Sequence, residues 1–139
     1  VGVVIDATDL GDREEIPTGR FLDTDLSGAS IALVKTGWSA FFGTDKYLAH
    51  PYPNIESLAH LRRHGITTIA LDFLSLDRTP GPGEEFTLDN HYFWSVEDGI
   101  IGENLCRLEQ ITHLRPNISM LPLNLGPSDG APVRAIASW

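Results

Sequence analysis

The chain holds 139 residues, 42% of them hydrophobic and 21% charged, a mixture that fits one soluble globular domain with its own core. Nineteen acidic residues against ten basic ones leave a formal net charge of −9, and without a basic stripe to offset it this speaks against nucleic acid as a partner. No apolar run nears the roughly 20 residues of a membrane span, no signal peptide is visible, and the single cysteine, Cys106, closes no internal disulfide, so the expectation is a cytoplasmic protein without membrane contact.

In chain order, "VGVVID" is a short apolar run of the kind a buried strand shows. Asp9 to Thr24 is polar and broken by Gly11, Pro17 and Gly19, which predicts a loop with a helical turn at most. "SIALVKTGW" is a second strand with a turn at Gly37. "NIESLAHLRRHG" is the clearest helix: Asn54 caps it, Glu56 suits its first turn and Gly65 ends it. Ile55, Leu58, Ala59 and Leu61 form its apolar face. "ITTIALDF" is a third strand, followed by a long loop containing "TPGPG".

"HYFWSVED" then predicts a short helix that Gly99 ends in the left-handed conformation, and Ile100-Ile101 opens a strand. "LEQI" reads as a helical turn, and "NISMLPLNL" and "VRAIASW" as closing strands. Strands alternating with helices and then closing as a pair predict a single α/β domain over 1–139 with a mixed sheet.

The segment from His91 to Glu103 carries the chemistry. A helix over 91–98 advances roughly 10 Å, and a strand over 100–103 covers about 10 Å, so a returning strand brings Glu103 level with His91. The two then share a cavity, either as a structural hydrogen bond or as two ligands of one metal, one short of the three that a catalytic zinc takes from protein. Trp38, Phe41, Phe42 and Tyr47 crowd the segment after the second strand and either wall a ligand site or join the core. Asp72, Ser75 and Asp77 end the third strand, where α/β sheets place their sites. His50, in the turn "AHPYP", lines a pocket or caps one, and Arg134 binds a carboxylate or pairs with a neighbouring acid. His60 and His64 lie one helical turn apart but lack the glutamate of helical zinc proteases, so a solvated face is expected there, and surface for His113. Cys106 has no activating base beside it and reads as inert packing.

"VKTGWSAFFGTDKYLAHPYP", "IALDFLSLD", "IIGENL" and "DGAPVRAIA" occur in one order, and in that order the chain resembles the putative cyclase family, which includes bacterial kynurenine formamidase and isatin hydrolase. The resemblance implies a swivelling β/β/α fold, homo-oligomers, and hydrolysis of an amide, lactam or ester bond of a small aromatic metabolite by metal-activated water. It implies zinc or manganese held partly by His91 and Glu103. The candidate substrate contacts, read from the residues themselves, are Trp38, Phe41, Phe42, Tyr47, His50, Asp72, Ser75 and Arg134.

Two departures stand out. The family's N-terminal H-x-T-H-x-D-x-P-x-H motif, which supplies further ligands and a catalytic histidine, is absent from these residues, and Gly102 stands where the family has a bulkier apolar side chain. Because the sequence opens on Val1, it reads as the C-terminal portion of the family fold, N-terminally truncated. A second function is therefore kept: a metal-free relative that binds a small molecule, or that catalyses cyclisation, isomerisation or dehydration by acid–base chemistry through His91 and Glu103.

Overall fold

A computed structural model describes residues 1–139. Strands β1 (Gly2–Asp6), β2 (Ile31–Lys35), β3 (Thr68–Leu71) and β4 (Ile100–Gly102) form a parallel sheet in that spatial order. Helices α1 (Thr18–Leu22), α2 (Ile55–Arg63) and α3 (Asp89–Ser95) lie in the three crossovers. When successive crossovers share one hand and each strand is laid down on the same side of the last, every helix falls on one face of the sheet. The contacts agree, since α1 packs on α2 and α2 on α3.

Alternation along each strand builds the layers. Val3, Ile5, Ala32, Val34, Ile69 and Leu71 face the helices and join Phe21, Leu58, Leu61 and Trp94 in the larger core. Val4, Leu33 and Ala70 face the other way and meet Leu105, Leu108, Ile118 and Met120. Ile118 and Met120 belong to β5 (Asn117–Pro122), which pairs antiparallel with β6 (Val133–Ser138). Parallel and antiparallel pairing are thus divided between two sheets, and the layers run helices, parallel sheet, antiparallel ribbon: the β/β/α arrangement of the expected fold.

Three local expectations change. Gly99 is not the left-handed residue after α3; Asp98 is, at φ 56°. Gly99 is needed for another reason, because a Cβ there would sit 2.1 Å from the Trp94 carbonyl oxygen. Ile55 leaves the apolar face of α2 and is 44% exposed, while Ser57, Leu58 and Leu61 are buried. Cys106 is exposed and not packed. Gly102 proves to be a matter of space: a Cβ there would come 2.5 Å from Met120 Cε, so the ribbon lies directly over it. No helix is long and apolar enough to cross a membrane.

Candidate active site at the C-terminal edge of the parallel sheet

In a β-α-β unit the helix runs back against the strands, so the start of α3 and the end of β4 come to the same edge of the sheet. That is why twelve positions of chain close on themselves here. His91 Nε2 lies 3.2 Å from Glu103 Oε1. The structure adds a residue on the far side of the ring: His91 Nδ1 is 2.6 Å from Asp77 Oδ2.

Asp77 is nearly buried, and its carboxylate also accepts the backbone N–H groups of Asn90 (2.7 Å) and His91 (3.2 Å). It therefore satisfies two orphan donors in the first turn of α3 and fixes the imidazole at the same time. Asn90 strengthens the junction by donating its side-chain amide to Pro53 O and Leu76 O. Ser75 Oγ accepts the N–H of Asp77, so its hydroxyl shapes the loop that carries the carboxylate.

Donor and acceptor roles follow. An ionised carboxylate only accepts, so the short contact to Asp77 assigns the proton on His91 to Nδ1. In the neutral ring Nε2 then carries a lone pair, and it faces a Glu103 oxygen that already accepts the N–H of Leu76 at 3.1 Å. Two lone pairs pointed at one another demand a proton or a cation between them.

The separation suits either. It is a hydrogen-bond distance, and it is close to the edge of about 3.3 Å between neighbouring ligands of a tetrahedral zinc with bonds near 2.05 Å. The residues thus fit a divalent cation as two of its ligands. No group of three or more His, Cys, Asp or Glu side chains converges here to complete the set.

The other sequence candidates divide. Asp72 is 1% exposed and committed inward: it accepts Thr36 N and Oγ1 and Gly37 N, between 2.6 and 3.2 Å. Burial outweighs these bonds and holds its carboxyl above the usual carboxylate range. His50 is buried between Pro51 O (2.8 Å) and Thr79 Oγ1 (2.9 Å), with its ring stacked on Phe73. Burial pushes its pKa down, and with both nitrogens engaged it fastens the loop in place of lining a pocket.

Trp38 is in the core, edge-on to Phe41, with no partner for Nε1. Phe42 is 71% exposed, edge-on to Tyr47. Tyr47 is buried and donates its hydroxyl to Asn104 Oδ1 at 2.8 Å. Burial, and after it the nearby Asp72 and Glu103 carboxylates, push the phenol up to about 12. Arg134 is exposed on β6 and lines, with Leu33, Leu105, Leu108 and Trp139, a groove of about 460 Å³ between sheet and ribbon. His91 and Glu103 are not among the residues of that groove. His60 and His64 lie tilted against one another, ring centroids 4.2 Å apart, on the solvent side of α2, and His113 is exposed beside Trp139.

Comparison with known proteins bears on the family and the fold. A family model described as putative cyclase matches residues 1–78, which reach Asp77 but stop short of His91 and Glu103. Among solved structures, isatin hydrolase A from Ralstonia solanacearum superposes with a TM-score of 0.84 at 19% identity, covering 98% of this chain and 58% of its own. Isatin hydrolase A from Labrenzia aggregata bound to benzyl benzoate gives 0.78 at 20% identity, covering 98% and 59%. A predicted metal-dependent hydrolase from Bacillus stearothermophilus gives 0.75 at 21%, covering 97% and 61%. The chain spans about three fifths of the length of these structures. No curated protein matches the sequence.

Proposed function

Because the chain belongs to the putative cyclase family, we propose that it is a hydrolase-type protein acting on the amide, lactam or ester bond of a small aromatic metabolite, with His91 and Glu103 at its reacting centre. The observation that carries this reading is the run Asp77–His91–Glu103, in which a buried carboxylate orients an imidazole whose other nitrogen meets a half-exposed carboxylate.

Each member has a task. Asp77 keeps the proton on Nδ1, so that Nε2 faces the site as a lone pair or, once protonated, as a donor. Leu76 N–H holds one oxygen of Glu103 in place. His91 Nε2 and Glu103 Oε1 would hold a divalent cation, zinc or manganese in the family, with its remaining positions filled from outside this set. When bound, such a cation supplies Lewis acidity, polarising a carbonyl and acidifying water. The structural likeness to proteins named as metal-dependent hydrolases and isatin hydrolases supports the assignment.

A second reading rests on the same 3.2 Å contact with a proton in place of the cation: His91 and Glu103 as an acid–base pair in a metal-free relative that binds or isomerises a small molecule. One experiment separates the two. Protein loaded with Zn²⁺ or Mn²⁺ and stripped protein are assayed on aryl formamides, cyclic amides and aryl esters. Turnover that needs the cation and is lost in His91→Ala supports hydrolysis; cation-independent turnover lost in the same variant supports the acid–base reading.

We also infer a homo-oligomer. Leu121, Leu123, Leu125, Ile136 and Trp139 are exposed on and around the β5–β6 ribbon, and apolar surface gathered in one place favours a partner. Sedimentation as a monomer at high concentration would count against this.

A further inference from the structure

Glu103 owes its place to more than the strand that carries it. Beyond Gly102, the last residue of β4, the chain turns through Asn104 at φ 58°, a left-handed conformation that asparagine tolerates better than most side chains. The turn lets Asn104 N–H reach Phe73 O at 3.0 Å and Leu105 N–H reach Leu71 O at 2.8 Å. Glu103 is thereby clamped between the register pair Gly102–Ala70 and two backbone bonds to the end of β3.

Into this turn Tyr47 extends from a distant segment and donates its hydroxyl to Asn104 Oδ1. The phenol lies near both Asp72 and Glu103, yet its proton goes to neither carboxylate. It goes to the amide next to one of them, which holds that turn and leaves the Glu103 oxygens to Leu76 N–H and His91.

We propose that Tyr47 and Asn104 are positioning residues for Glu103, acting as one unit through the Tyr47–Asn104 hydrogen bond. The inference builds on the proposed role of Glu103 beside His91, and it turns Tyr47 from a wall of the substrate pocket into a brace behind the site.

The test uses the Leu76 amide, whose N–H is held by Glu103 Oε1, as a reporter in cation-free protein. Tyr47→Phe removes the donor. Asn104→Gly permits the left-handed turn and removes the acceptor with the rest of the side chain. Each should speed hydrogen exchange at Leu76 about tenfold while leaving the amides of Ala32 and Ile69 unchanged, and the double variant should do no more than either alone. Co²⁺ affinity, measured by calorimetry on the same proteins, should fall about tenfold, the lower end for a group that orients a ligand.

Unchanged exchange at Leu76, or effects that add, would overturn the inference, as would a drop in melting temperature that speeds all amides alike. If Tyr47→Phe does not fold, Asn104→Gly decides alone. If Leu76 responds as expected but the unaltered protein takes up no Co²⁺, the positioning stands and the cation-holding reading falls. If Co²⁺ binds and Leu76 is indifferent, the cation-holding reading stands and the positioning falls.

Discussion

Two carboxylates sit at the same edge of the parallel sheet and have opposite fates. Asp72, directly after β3, is buried and accepts four hydrogen-bond contacts from Thr36 and Gly37. Glu103, directly after β4, is 28% exposed at its side chain, accepts one backbone N–H, and turns the rest of its capacity toward His91. Asp72 is closed, and its work is to pin the loop after β2 to the end of β3. Glu103 is open. Position at a strand end is shared by both; what separates the open carboxylate from the closed one is the hydrogen-bonding capacity that the fold leaves unused.

The sharpest way to break this contrast is His91→Ala. If Glu103 and His91 are the working pair, the change should lower turnover by about 10²–10⁴-fold and leave the melting temperature nearly unaltered, since the ring is partly exposed. A large loss of stability with activity per folded molecule preserved would make the pair structural.

Asp72→Ala should do the reverse. It strands the buried N–H groups of Thr36 and Gly37 and should cost about 3 kcal/mol in denaturant unfolding, with no effect on Co²⁺ affinity beyond the fraction unfolded. Asp77→Asn lies between the two, because Asp77 both caps α3 and orients His91. Cation affinity should fall about 10–100-fold and stability by about 1 kcal/mol, read by calorimetry and unfolding on one sample.

The smallest effects are in pH. His50, buried neutral, has its pKa pushed below the ordinary 6.5, so its contribution is fully present above that value. It is lost as pH falls from there toward the folded-state pKa. His50→Gln should flatten the melting temperature over this range. At the alkaline end, Tyr47 is raised from 10 to about 12; its contribution is present below pH 10 and is lost as pH rises toward 12. Tyr47→Phe should remove that decline, and a decline of equal size in the variant would assign it to another group.

Much of this was legible before the structure. Asn54 and Gly65 bracket α2 as capping and left-handed residues do, and the strand–helix–strand rhythm from Ile66 to Glu103 fits a parallel crossover. The rhythm also brings His91 and Glu103 together, because such a crossover returns the chain to its starting edge. Asp77 was visible only as one of three polar residues after β3. Its contact with His91 spans 14 positions across the "TPGPG" loop, and no periodicity reaches across such a loop. Asn104 left no sign, since the sign of φ at a non-glycine residue is not written in composition.

The sequence by itself determined the α/β class, the order of the elements and the edge of the sheet where polar groups collect. These depend on local propensity, on alternation and on the length of a crossover, all of which act over a few residues to a few tens. Only the tertiary structure decided which carboxylate is closed and which is open, that His50 is sealed and Cys106 exposed, and that Gly102 is small because Met120 lies over it. Those outcomes depend on which distant atoms arrive within 3 Å of one another. The donors that arrive at that distance make the difference between a closed carboxylate and an open one.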